Sequence, residues 1–183
     1  MNSHCPVCSE EAIRPIGSTS SKLLIIGEEP GDSEMKFGRP FVGAAGKVLK
    51  NELRLMSMDL LQFRVTCLWI HPATKNEDCY KLGYDMVMDE AKKKKAILLV
   101  GADVVSTFTN YKVSDICGLR MDKGDHVFSS PLVMGIINPS SVFHNGVGEV
   151  RLALHKFKNE LIRDGLLGDK KVTDDWRKLN AFN

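Results

Sequence analysis

Four short apolar runs punctuate the chain: Leu23–Ile26 (LLII), Phe63–Ile70 (FRVTCLWI), Ile97–Val100 (ILLV) and Leu132–Ile137 (LVMGII), the last closing a strand or a hairpin that spans His126–Ile137. Runs of this length bounded by turn residues read as buried strands. Between them the apolar positions fall into helical register. Gly43 to about Leu55 carries Val48, Leu49 and Leu53 on one stripe with Met56 following, and Cys79 to about Lys95 forms a second helix. A third runs from Ala102 to about Thr109, and Glu149–Leu166 (EVRLALHKFKNELIRDGL) is an amphipathic fourth, whereas Val113–Gly124 has no clear period. Strand and helix alternate throughout. That order predicts an α/β fold, a three-layer α/β/α arrangement around a central four-stranded parallel sheet. Residues 1–183 read as one domain, with a polar tail from about residue 168.

In a parallel sheet of this kind, ligands bind beyond the carboxyl ends of the strands. Three connections leave those ends with unusual chemistry: Gly27–Gly46, Cys67–Cys79 and Asn138–Asn145. The first, GEEPGDSEMKFGRPFVGAAG, far exceeds the two to six residues of an ordinary strand-to-helix loop. Its charges and glycines mark a binding loop or a disordered one. The run Lys92–Lys95 closes a helical segment, where lysines suit the negative end of the helix dipole, so it reads as a solvated terminus.

Composition narrows the class without choosing a function. The chain has 183 residues, 43% of them hydrophobic and 26% charged, and a formal net charge of +2. That balance permits DNA binding through a local patch but does not demand it. No stretch approaches the roughly 20 apolar residues of a membrane span, so a cytoplasmic protein without membrane contact is expected, and a monomer. Five cysteines in that setting point to metal or redox chemistry rather than disulfides. Cys5 and Cys8 form a CxxC, and Cys67 and Cys79 bracket the loop after the second strand. Four thiolates suit tetrahedral zinc or an iron–sulfur cluster equally.

The long loop resembles the first motif of the iron–sulfur uracil-DNA glycosylases, which carry Gly-Glu-x-Pro-Gly, acidic residues and then Gly-x-Pro-Phe-Val-Gly-x-x-Gly. ILLVGADVV resembles that family's third strand and turn, and INPSS stands where the family has His-Pro-Ala or His-Pro-Ser. The likeness runs from Cys5 to Leu161. It implies the uracil-DNA glycosylase fold, a DNA partner, and a [4Fe–4S] cluster on Cys5, Cys8, Cys67 and Cys79 with Cys117 spare. It further implies catalytic roles for Glu28, Glu29 and Asn138, and a base pocket with Gly27, Phe41 and Phe63. DNA contacts would fall on Gly31, Ser140, Ser141, Phe143 and His144. His71 and Lys75 lie near the same mouth as candidate phosphate contacts.

Two departures matter. The family has an asparagine four residues before the third cluster cysteine that reads the uracil edge; with Cys67 as that cysteine, the position is Phe63. The histidine of the later motif is Asn138, in an NPSS that resembles the mismatch-specific glycosylases. These departures favour a modified pyrimidine over plain uracil as substrate. The alternatives are an ordinary uracil-DNA glycosylase, a catalytically silent DNA-binding relative, and a zinc-stabilised domain binding nucleotide phosphates. The settings compatible with such a substrate are repair, antiphage defence and phage replication.

Overall fold

The computed structural model describes residues 3–72, 76–142 and 146–168. Its centre is a four-stranded sheet of β3 (Leu23–Gly27), β4 (Arg64–Cys67), β5 (Ala96–Val100) and β6 (Leu132–Ile136), all parallel, in the order β4-β3-β5-β6. A small antiparallel hairpin, β1 (Ser3–His4) with β2 (Glu11–Ala12), precedes it. Helices α1 (Asp32–Phe37), α2 (Ala44–Leu55), α3 (Glu77–Ala91), α4 (Ala102–Phe108), α5 (Val113–Ile116) and α6 (Gly148–Arg163), with 3-10 turns at Leu60–Gln62 and Pro139–Ser141, complete the described elements.

Why these runs are uniformly apolar follows from the layering. Every residue of β3, β5 and β6 is buried, because both sheet faces are covered. Leu23, Ile25, Val65, Leu98 and Met134 face Leu49 and Leu53 of α2 and Leu154 and Phe157 of α6. Leu24, Ile26, Ile97, Leu99 and Val133 face Val87 of α3 and Val104 and Phe108 of α4. The first layer is clamped by a bidentate pair, Arg151 of α6 donating to both oxygens of the buried Glu52 of α2 at 2.7 and 3.0 Å.

Three local features differ from the sequence-based expectation. The long loop folds part of itself into α1, which ends at Gly38 in the left-handed region (φ 65°). The second apolar run forms a strand only over Arg64–Cys67. Upstream of it Leu60–Gln62 makes a 3-10 turn closed by a capping box: Leu61 N donates to the Asp59 carboxylate and Asp59 N to Gln62 Oε1. The lysine run is not wholly solvated either. Lys94 is buried and donates to the Thr19 and Ser21 carbonyls, at 3.0 and 2.9 Å.

After β3 the chain crosses to β4 on one side. The connection from β4 then returns over β3 to β5 on the other. The carboxyl ends of β3 and β5 are therefore a topological switch point, where the connections diverge and leave a crevice.

Candidate active site and metal centre

A cavity of about 230 Å³ opens at that switch point, lined by Gly27, Glu28, Glu29, Gly31, Glu34, Phe41, Ala44, Ala45, Cys67, Val100 and Asn138. It is smaller than the 300–1,000 Å³ typical of drug-sized ligands, a size for one ring rather than a whole nucleotide.

Glu28, at the end of β3, uses both carboxylate oxygens. Oε1 accepts from Asp103 N at 2.9 Å, at the start of α4, and Oε2 accepts from Asn138 Nδ2 at 2.7 Å. Gly101 makes room for it: at φ 111°, a β-carbon there would stand 2.2 Å from Glu28 Cδ. Asn138 is fixed at its other end too, with Oδ1 accepting from Ser140 N (3.0 Å) and Ser140 Oγ (2.9 Å). The amide is therefore oriented, with Nδ2 toward Glu28 and one Nδ2 hydrogen still uncommitted among the bonds described. Glu28 thus holds the asparagine, while Glu29 is an exposed carboxylate on the cavity wall.

Phe41 and Gly27 meet as the glycosylase resemblance implies. The Phe41 ring lies so close over Gly27 that a β-carbon there would be 2.8 Å from Phe41 Cζ. Phe41 itself has φ 55°, a strained conformation for a bulky residue. Behind it, Gly46 admits the Phe41 carbonyl; a β-carbon at Gly46 would stand 2.1 Å from that oxygen. Glu34 is a site residue that the sequence did not reveal. From α1 it reaches back across the loop, Oε1 accepting from Gly43 N at 2.7 Å, and its carboxylate lines the cavity. Its only sequence signal is position within the charged loop.

Three assignments change, those of Phe63, Cys67 and His71. Phe63 is not in the pocket: it lies at the amino end of β4, fully buried, with its ring stacked against Phe157 at 6.4 Å between centroids. The opposite end of that strand faces the site. There Cys67 lines the cavity beside Gly27 and Phe41, and burial, reinforced by Glu34 and Glu28, pushes its thiol up to about 12. It is a neutral thiol at ordinary pH.

Cys67 lies outside the metal-competent group on distance, not on its protonation. That group comprises Cys5, Cys8, His71 and Cys79, with one donor atom from each lying within 4.8 Å of the others. Cys5 Sγ is 3.9 Å from Cys79 Sγ, and Cys8 Sγ is 3.5 Å from His71 Nε2. Burial pushes the Cys5 thiol up, but the backbone N–H groups of Cys8 and Val7, together with the Cys8 and His71 side chains, bring it down to about 7. Such backbone donors favour the thiolate that a metal needs. His71 is 1% exposed, which removes it as a phosphate contact. Gly31 lines the cavity and Ser140 and Ser141 flank Asn138 on a 3-10 turn, while Phe143, His144 and Lys75 lie outside the described residues.

Comparison with known proteins accords with this arrangement. The family model of the Uracil DNA glycosylase superfamily matches residues 14–162, most of the chain and the whole of the cavity. The chain belongs to that superfamily. Type-4 uracil-DNA glycosylases of Sulfurisphaera tokodaii and Thermotoga maritima each match this superfamily member with 47% identity over 38 residues, 21% of its length. The matched stretches span 17% and 20% of those two relatives. Among the described residues no helix is long and apolar enough to cross a membrane.

Proposed function

We propose that the chain is a DNA glycosylase that hydrolyses the N-glycosidic bond of a flipped-out base, leaving an abasic site. The observation that carries this reading is the Glu28–Asn138 pair facing Phe41 across a one-ring cavity at the sheet's switch point. Extruding a base costs a few kcal/mol, which stacking on Phe41 would offset in part. As the C1′–N bond breaks, positive charge grows on the sugar and negative charge on the base. Glu29 faces the first as a carboxylate able to orient the attacking water and accept its proton. The water oxygen bonds to C1′, and the base departs with the electron pair. The uncommitted Nδ2 hydrogen of Asn138 serves the leaving base, and the amino terminus of α2 adds its positive dipole end.

The substrate on this reading is a modified pyrimidine. Cys67 offers the base edge a weak thiol donor where an amide would give paired donor and acceptor. The cavity wall is otherwise rich in acceptors, Glu29 and Glu34, which suit an exocyclic amine. A site that lacks the partners for a given edge gains little discrimination from that edge. Oligonucleotides carrying uracil, hypoxanthine, 5-hydroxymethylated and glucosylated pyrimidines, with released bases identified by mass spectrometry, test both levels. Release of uracil alone would refute the substrate class but keep the activity. Release of nothing by metal-loaded protein would favour a silent DNA-binding relative.

The group Cys5, Cys8, His71 and Cys79 is the proposed seat of the iron–sulfur cluster, which would staple the loops around the cavity. Its donors are thiol-rich, as such a cluster requires. A second reading of the occupant is a single zinc ion. The separations of 3.5 and 3.9 Å are those of a tetrahedron of ligands about 2.0–2.3 Å from one metal, so a cube of irons would need them to spread.

A further inference from the structure

The cysteine that the family resemblance offers as the third cluster ligand, Cys67, lines the cavity, and a histidine stands in the metal group instead. We infer that His71 is a metal ligand through Nε2, giving a centre of three thiolates and one imidazole in place of four thiolates. This rests on the proposed metal centre but not on the identity of its metal.

Three observations carry it. The first is position: His71 Nε2 and the Sγ atoms of Cys5, Cys8 and Cys79 lie within 4.8 Å of one another. The second is tautomer. His71 Nδ1 lies 2.9 Å from the Pro72 carbonyl oxygen, which can only accept, so Nδ1 carries the proton. That leaves the Nε2 lone pair bare and directed toward Cys8 Sγ at 3.5 Å. Ligating histidines are oriented by this kind of bond from the other ring nitrogen. The third is burial: at 1% exposure His71 makes no solvent-facing contact that would explain it otherwise.

The chain between the two centres explains why one residue cannot serve both. β4 ends at Cys67, paired in register with Gly27, so its side chain is fixed at the sheet rim. Leu68 N and Trp69 N then bond the Gly27 and Glu28 carbonyls, at 2.8 and 3.0 Å, and carry the chain along that rim. Ile70 receives the Ile13 N–H at 2.7 Å, which ties the amino-terminal segment to it. Ile70 packs against the same cluster as Cys5, and the next residue, His71, brings a ligand atom to it, Nε2 at 3.5 Å from Cys8 Sγ. With His71 in the place of the third cluster ligand, the position four residues earlier, the base reader of the family pattern, is Cys67 rather than Phe63.

An imidazole carries no charge where a thiolate carries one, so an iron–sulfur centre with His71 as ligand holds a higher reduction potential than its all-cysteine counterpart. The test uses the full chain, purified without oxygen and reconstituted with iron and sulfide, alongside the metal found as isolated. X-ray absorption at the metal edge should show one nitrogen among sulfurs, and a reduced cluster should show ¹⁴N coupling in pulsed EPR. His71→Cys should keep the metal, lose the nitrogen signal and, for a cluster, shift the midpoint potential down. Cys67→Ala should keep the full metal content and the nitrogen signal. An all-sulfur shell in the unaltered chain would overturn the inference, as would metal lost with Cys67→Ala but kept with His71→Ala. Metal content reads the other question separately: one zinc with a nitrogen ligand removes the cluster and leaves His71 in place.

Discussion

Glu28 sits at a point where three parts of the chain converge, and one atom's change there separates two kinds of carboxylate. Glu28→Gln replaces one oxygen with a donor, which cannot accept from both Asp103 N and Asn138 Nδ2. We expect the asparagine to lose its orientation and base release to fall by about 10²–10³-fold, the scale of losing one transition-state donor. Glu29→Gln should cost about 10²–10⁴-fold through loss of the general base. Single-turnover kinetics with a saturating oligonucleotide would separate them: the pH profile should flatten only for Glu29→Gln. An unchanged rate for Glu28→Gln would remove its positioning role. Cys67 supplies a second check. Its folded thiol, pushed up to about 12 from an ordinary 9.0, holds its proton where the unfolded chain has released it. Its contribution to stability is therefore full below about pH 9 and lost as pH rises toward 12. Cys67→Ala should flatten the fall in unfolding free energy above pH 9, and an identical alkaline fall in both proteins would show that the shift is absent.

At the scale of elements, the cavity depends on how tightly α2 begins against the strand end. A methyl at Gly46 would lie 2.1 Å from the Phe41 carbonyl oxygen, a backbone atom that cannot swing aside. Gly46→Ala should therefore cost about 1–3 kcal/mol of overpacking, visible as a lowered melting temperature, and should displace the Phe41 ring. A variant as stable as the parent would mean that the loop yields freely. The elements themselves were largely legible. Buried parallel strands announce themselves as unbroken apolar runs, and the glycine-rich loop gave Glu28, Gly27 and Phe41 by its order of residues. What stayed hidden involved reach across the sequence. Nothing local to DSEMKF says that Glu34 will turn back to cap Gly43. Nothing in FRVTCLWIH says where so short a strand begins and ends: it pairs only over Arg64–Cys67, which leaves Phe63 at the amino end, packed on Phe157 and away from the site. The spacing of His71 to Cys79 is the sequence signal for the metal group, masked by four cysteines that already make a complete set.

For the molecule as a whole, the metal group joins parts that the sheet does not. Cys5 and Cys8 come from the amino-terminal hairpin, His71 from the connection after β4 and Cys79 from the first turn of α3. The sheet and its two apolar layers involve none of these side chains. Removing the metal with a chelator, or with an oxidant for a cluster, should thus lower the melting temperature while leaving most of the far-ultraviolet circular dichroism. Protease cleavage should appear first before residue 20 or between residues 70 and 80. Complete unfolding on metal removal would show instead that the core does not stand without its staple.

Glu28, Glu29 and Glu34 ring a small opening in a chain whose net charge is +2. On the proposed reading that arrangement would act as an electrostatic sieve: phosphate groups would be repelled to the edge of the crevice by its carboxylates, whereas a neutral or amine-bearing ring would pass. Free bases should consequently occupy the emptied pocket far more readily than the matching nucleoside monophosphates, and a turned-out nucleotide would enter ring first.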